Sequence, residues 1–439
     1  MSRLLFIFIF AFIAGCGAEQ PKADAALLTS AALIHRNTDQ LTQVIIHDMF
    51  PPPVASRIYA YTSLAGYEAA RYSEPGLPSI AAQLKDFAAM PVPEAGKKYN
   101  YLLASTKAFF TVAQKITFSA DTLGNYQDKI YADFAALLDK ETFDRSVAFG
   151  AAIGAKVLER TAADNYKQTR GMPRFIGSNE KGKWRPTPPD YLDGAEPYWG
   201  KIKPFTIESS AQFVCPAPPR FTDDTTGAFY ELAKEVYTIG TTLTPEQKEI
   251  ARYWDDNPFV MEHSGHLMYG NKKITPVGHW IGIAGIASAK KGLGPGATAQ
   301  TYLLTATAIY DSFISCWDDK FITQVVRPVT LINEWFDPNW QPLLQTPPFP
   351  EHPSGHSAIS AASATVLTEV IGDNFSFVDT SDLKYIGMKR EFSSFNQAAA
   401  EASISRIYGG IHFRSGVDAG AIQGQQIGQY VMKKIKRRE

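Results

Sequence analysis

Cysteine is scarce: the 439-residue sequence has three, Cys16, Cys215 and Cys316. That excludes the dense disulfide framework of a small secreted domain. Cys215 and Cys316 could pair or stand as free buried thiols, and sequence alone leaves both open. An excess of either charge is also missing, with 43 basic against 44 acidic residues and a net charge of -1. A nucleic-acid partner would call for a basic stripe, so none is expected. No apolar run reaches the about 20 residues of a membrane span. Alternating strand patterns are nearly absent, and no solenoid-type period is visible. What is present is an ordinary core composition, 45% hydrophobic and 20% charged.

The first residues stand apart from this composition. Arg3 precedes an apolar run over residues 4–13, which ends in the small-residue stretch "IAGC". That stretch resembles a bacterial lipoprotein cleavage box. The resemblance implies a signal peptide over 1–15, lipid on Cys16 and a tether over 16–34. The expected location is exported and membrane-anchored, at the periplasmic face or outer membrane; Gly17, with no Asp after Cys16, favours the outer membrane. The lipid would be the only membrane contact.

Beyond the tether the chain reads as helices. "TDQLTQVIIHDMF" sets Leu41, Val44, Ile45 and Met49 at helical spacing. "PPPVASRIYAYTSLAGYEAARY" opens on prolines, as a first helical turn allows. Residues 171–225 are rich in proline, glycine and aromatics and far longer than an ordinary loop, so they are expected to be ordered. The fold class is all-α, with helical bundles in two sequential halves, 35–225 and 226–439.

The chemistry-bearing residues crowd the last third. "KFITQVVRP" places Lys320 and Arg327 seven apart; "PSGH" supplies Ser354, Gly355 and His356; "SRIYGGIH" supplies Ser405, Arg406 and His412. Three cations, two histidines, a hydroxyl and the free amides of a helix start suit a tetrahedral oxyanion. Arginine forks grip two oxygens at once and lysine adds a point charge. Amides at Gly355 and His356 belong to a helix N-terminus, whose dipole adds to their pull.

The pattern K-x6-RP, PSGH, SR-x5-H resembles the superfamily of vanadium-dependent haloperoxidases and type 2 phosphatidic acid phosphatases. The match includes Lys320, Arg327, Pro328, Pro353, Ser354, Gly355, His356, Ser405, Arg406 and His412. The resemblance implies that His412 is the covalent partner, ligand to the vanadium of vanadate or nucleophile to phosphorus. It implies that His356 is the general acid/base, and that Lys320, Arg327, Arg406, Ser354 and the Gly355 amide hold the oxygens. "YWDDNP" resembles the segment whose aspartate pairs the distal arginine, so Asp255 or Asp256, with Asp256 favoured, is expected beside Arg406. One feature departs from the pattern: the aspartate often found four residues after the second histidine is Gly416 here. Asp418 lies six on, a helical rotation of about 600° against about 400° for four. It is a poor substitute, so the group that orients His412 is open, with a backbone carbonyl one option.

The long N-terminal half and the segment "KWRPTPPDYLDGAEPYWGKIKPF" are similar to the haloperoxidase branch, and Trp317 and Phe349 match its chloride-oxidising members. The first functional reading is therefore vanadate-dependent oxidation of halide by hydrogen peroxide. The alternatives are an exported acid phosphatase acting on phosphomonoesters, which needs no cofactor, and a non-catalytic anion-binding lipoprotein. "EHSGH", residues 262–266, could with His279 suggest zinc, although a pocket rim or an internal turn fits its spacing better.

Overall fold

The computed structural model describes residues 25–438 apart from 259, 265, 266 and 271. Cys16 and the signal segment lie outside that set. The all-α expectation holds: helices dominate the described residues. Helices α1 (Ala32–His47), α2 (Pro52–Ala70), α3 (Tyr101–Ile116), α4 (Ala120–Leu137), α5 (Lys140–Ala162) and the short α6 (Tyr166–Thr169) precede the proline-rich segment. After it run α7 (Ala228–Thr241), α8 (Pro245–Tyr253), α9 (Pro276–Lys291), α10 (Pro295–Thr323), α11 (Pro328–Trp335), α12 (Gly355–Ile371), α13 (Leu383–Ile386), α14 (Phe395–Tyr408) and α15 (Arg414–Lys434). Among the described residues the sheet content is two antiparallel hairpins, Met261–Ser264 with Leu267–Gly270 and Phe377–Asp379 with Arg390–Phe392. No described helix is long and apolar enough to cross a membrane.

Helix α10 is the axis. It is buried on nearly all sides, with Thr305, Ile309, Phe313, Cys316 and Lys320 among its buried residues. One apolar core joins residues from both halves of the chain, among them Leu41, Tyr61, Phe110, Tyr310, Ile359 and Ile427.

The proline-rich segment is ordered, and α10 explains how. Prolines and an irregular path leave backbone N–H groups without helix or sheet partners, and buried N–H groups need acceptors. The acidic residues of α10 supply them. Asp311 takes the amides of Phe205 and Thr206, each at 2.8 Å, and Asp319 takes that of Cys215 at 3.0 Å. Asp318 accepts from the Ser210 hydroxyl at 2.7 Å. Trp184 and Trp199 of this segment are themselves fully buried. Cys215 and Cys316 are free thiols, both buried. Cys215 Sγ lies 3.5 Å from His352 Nε2.

Helices α12 and α15 approach more closely than side chains normally permit. Gly420, Gly424 and Gly428 recur every four residues and so share one face of α15. A Cβ at Gly420 would sit 2.4 Å from the Ser354 carbonyl oxygen, and one at Gly424 1.8 Å from that of Ala358. Only glycine allows backbone to meet backbone there. This contact sets the start of α12, with Ser354 and His356, against the start of α15, just after His412.

Candidate active site

Ser354 caps α12, its hydroxyl accepting from the Ser357 amide at 3.3 Å. Its own amide donates to the Gly416 carbonyl at 2.8 Å, tying the cap to α15. Gly355 follows at the first helical position. A Cβ there would meet the Trp317 ring at 3.0 Å, so the residue is small because an indole packs over it. Arg406 lies in the last turn of α14, where the helix dipole favours a cation. Gly410 then turns the chain at φ +76°, a conformation that favours glycine, and His412 follows.

Gly355, His356, Arg406 and His412 line one small cavity with Trp317, Phe349, Phe313, Asp255 and Asp256. Pro52 of α2 also lines it, so the N-terminal half contributes. Lys320 and Arg327 lie fully buried behind this lining. Arg327 Nη1 is 3.1 Å from His412 Nε2 and donates to the Ile411 carbonyl at 2.7 Å, while its Nε donates to that of Phe349 at 2.9 Å. Lys320 Nζ donates to the carbonyls of Pro350, Glu351 and Pro353 at 3.0, 3.0 and 2.5 Å. It thereby holds the loop that leads into PSGH.

The group that orients His412 is Glu351. Its Oε1 lies 2.7 Å from His412 Nδ1 and also accepts the Phe413 amide at 3.0 Å. An arginine N–H can only donate, so His412 Nε2 beside Arg327 is the acceptor nitrogen and Nδ1 carries the proton given to Glu351. Gly416 is glycine for the same reason: a Cβ there would fall 2.2 Å from Glu351 Oε1. The carboxylate has moved from the fourth residue after the histidine to the loop before PSGH, and the vacated position must stay empty. Sequence analysis missed Glu351. The signal was its place in "PEHPSGH" together with the glycine at 416. Asp418, already a poor substitute on helical phase, is exposed.

The expected pairing of Asp256 with Arg406 does not hold. The Arg406 guanidinium donates instead to the backbone carbonyls of Trp254 and of Asp255, the latter at 3.4 Å. The Asp255 carboxylate pairs with Lys273. Asp256 turns to His279, its oxygens 3.0 and 3.2 Å from Nδ1. Asp256 has φ +45°, in the left-handed region. As for "EHSGH", the side chains of 262–266 lie outside the described set, and His279 meets aspartates instead.

Electrostatically the site gathers buried cations. Burial pulls Lys320 down to about 8, Arg327 to about 9 and Arg406 to about 10. Burial also lifts the Glu351 carboxyl to about 7, against the pull of Arg327 and Lys320. Burial, then neighbouring cations, push His356 and His412 well below the ordinary histidine value. Arg327 Nη2 and His356 Nε2 are buried without partners. A spare buried guanidinium N–H, an unpartnered imidazole nitrogen and an excess of cations suit a bound oxyanion.

The VCPO second helical-bundle domain matches residues 300–438. No curated protein matches. Among solved structures, that of a bacterial vanadium-dependent iodoperoxidase is similar at TM-score 0.88 and 41% identity, covering 93% of this chain and 98% of that one. A bacterial vanadium-dependent chloroperoxidase is similar in its holo form at TM-score 0.69 and in its apo form at 0.66, each at 17% identity and over 88% of this chain. The holo and apo matches cover 93% and 94% of those chains, and at that identity they speak for the fold alone.

Proposed function

This chain belongs to the vanadium haloperoxidase superfamily, and from that membership we propose that it oxidises halide with hydrogen peroxide at a vanadate bound by His412. The observation that carries the reading is the state of His412. Its Nδ1 proton is committed to Glu351, which leaves a lone pair on Nε2 beside Arg327. A histidine whose far nitrogen donates to a carboxylate is the usual form of a metal ligand. His412 Nε2 would bind the vanadium. Arg327, Arg406, Ser354 and the Gly355 amide would hold the oxygens, and Lys320, whose three N–H groups go to backbone carbonyls, would add its charge from behind. Bound vanadate would supply the Lewis acidity that activates peroxide toward a halide.

The net reaction, H2O2 + X− + H+ → HOX + H2O, consumes one proton. His356 is neutral in its buried, cation-rich setting and its Nε2 is free. It can accept a peroxide proton on binding and return it to the departing water. Trp317 and Phe349 pack at 4.9 Å and give the cavity an apolar wall that excludes water. Iodide is the halide most easily oxidised, and the relative at 41% identity is an iodoperoxidase. We therefore assign iodide first, with chloride as the demanding case that Trp317 and Phe349 bring into question.

Purified protein with and without orthovanadate should be assayed for peroxide-dependent oxidation of iodide, bromide and chloride and, in parallel, for aryl phosphate hydrolysis. The expected result is vanadate-dependent iodide oxidation without hydrolysis. Hydrolysis with no halide oxidation would assign the site to phosphate transfer through His412. Binding of vanadate or phosphate with neither activity would leave an anion-binding protein. We also propose export and anchoring through Cys16. A Cys16→Ala variant should move from the membrane fraction to the soluble one, and unchanged fractionation would remove the lipid.

A further inference from the structure

His279 of α9 stands among three aspartates that the proposed chemistry does not use. The side chains of His279, Asp256, Asp379 and Asp382 are each no more than 2% exposed. Asp379 Oδ2 lies 2.9 Å from His279 Nε2, and its other oxygen accepts from the Ser381 amide at 3.0 Å and the Ser381 hydroxyl at 2.5 Å. Asp379 is thus fully partnered and takes the Nε2 proton. Against the effect of burial, Asp256 and Asp379 lift His279 well above the ordinary histidine value, so without a cation both ring nitrogens carry protons; a cation would displace the Nδ1 proton and take its lone pair. That lone pair faces the Asp256 oxygens at 3.0 and 3.2 Å and Asp382 Oδ2 at 3.5 Å. The Asp256 and Asp382 carboxyls are themselves within hydrogen-bonding reach, and burial beside two other carboxylates pushes Asp382 up to about 8, so without a cation it holds a proton. Asp382 Oδ1 is buried without a partner. Acceptor atoms from three residues converge on one point shut off from water. Two protons, one on Nδ1 and one on Asp382, hold the cluster together without a cation, and an ion would bind here by displacing both. A divalent ion would satisfy all three.

We propose that His279, Asp256 and Asp382 form a site for a divalent transition ion of the zinc class, with Asp379 orienting the histidine from behind. Separations of 3.0 and 3.5 Å suit ligands about 2.0–2.2 Å from a shared centre. An imidazole ligand favours such an ion over calcium or magnesium, which take oxygen donors. The carboxylate behind the histidine is the common partner of a ligating imidazole. Charge agrees as well: with neutral imidazole, three carboxylates and a divalent ion sum to one negative charge, and Arg406 acts on Asp256 from the other side. The ion is structural. The Trp254 ring stacks on His279 at 4.4 Å, and the Trp254 carbonyl receives the Arg406 guanidinium. Locking Asp256 to His279 fixes the 254–256 loop, and with it the arginine at the oxyanion cavity.

The test uses the full untagged chain, stripped with a chelator and then offered zinc chloride alone. After gel filtration, elemental analysis should find one zinc per chain, and the melting temperature should rise by mass action. His412→Ala should still take up that zinc, which separates this site from the catalytic histidine. Asp382→Asn and His279→Gln should lose it, and Asp379→Asn should bind about 10–100-fold more weakly. No retained zinc in the wild type, or uptake unchanged in both ligand variants, overturns the site and leaves a protonated histidine among aspartates. Where those variants fail to fold, X-ray absorption on the zinc-loaded wild type decides. A shell of one imidazole with carboxylate oxygens supports the proposal, and a shell with two imidazoles or with sulfur contradicts it. Failure here leaves the halide reading intact, because none of the oxyanion-holding residues is a ligand.

Discussion

Glu351 and Gly416 work as a pair. One supplies the carboxylate that His412 Nδ1 needs, and the other leaves room for it. Glu351→Gln keeps the shape but weakens the acceptor, so vanadate affinity should fall by about 10–100-fold, measurable by equilibrium dialysis. Gly416→Ala should also weaken binding, because its Cβ collides with Glu351 Oε1. Combining Glu351→Ala with Gly416→Asp restores the commoner arrangement and should recover part of the affinity. A double variant no better than Glu351→Ala would contradict this account of Gly416. His412 also predicts a pH dependence of the vanadate-free protein. Its folded value is depressed by burial and then by Arg327 and Lys320, so the unfolded chain takes up a proton that the folded site resists. The contribution to stability is therefore whole above about pH 6.5 and falls as pH drops below it, by up to about 1.4 kcal/mol per pH unit. Glu351, raised to about 7, acts in the opposite sense over part of that range. The test is thus the difference between wild type and His412→Ala in urea melts from pH 7 to 5, where the variant should show the shallower loss.

At the scale of elements, the site depends on how closely α12 and α15 meet. Gly424→Ala would place a methyl group 1.8 Å from the Ala358 carbonyl oxygen, so the helices must separate. Overpacking of this kind typically costs about 1–3 kcal/mol. Urea unfolding should show that loss, and vanadate affinity should fall with it, because the two helices carry the two sides of the cavity. Unchanged affinity would mean that the spacing does not position the site. Much of this was legible in sequence. Helical period located the helices, and the spacings of Lys320 with Arg327 and of Arg406 with His412 picked out groups that the fold does bring together. The glycines of α15 were visible too, but period alone does not say which helix they face. The partners of Asp256 and His412 were hidden because each depends on a loop conformation, φ +45° at Asp256 and the path of the chain through Glu351. Spacing does not encode either.

Across the whole molecule, the last third carries the chemistry but does not stand alone. Pro52 lines the cavity, and the strap over 171–225 is held by acids of the same helix that carries Lys320. The core mixes residues of both halves, so residues 226–439 alone would leave the buried faces of α9 and α10 without their cover from α2. That fragment should be aggregated or molten by near-ultraviolet circular dichroism and should bind no vanadate. A cooperative unfolding transition for the fragment would show that the halves are independent.

The central claim is that His412 anchors the cofactor and His356 moves protons. The measurement that tests it most directly is vanadate retention beside turnover in the two alanine variants. Removing a proton donor costs typically about 10²–10⁴-fold in rate and leaves the ligand in place. His356→Ala should therefore keep vanadate through gel filtration and lose peroxide-dependent iodide oxidation, whereas His412→Ala should lose the vanadate itself. Vanadate retained by His412→Ala and lost by His356→Ala would contradict the assignment.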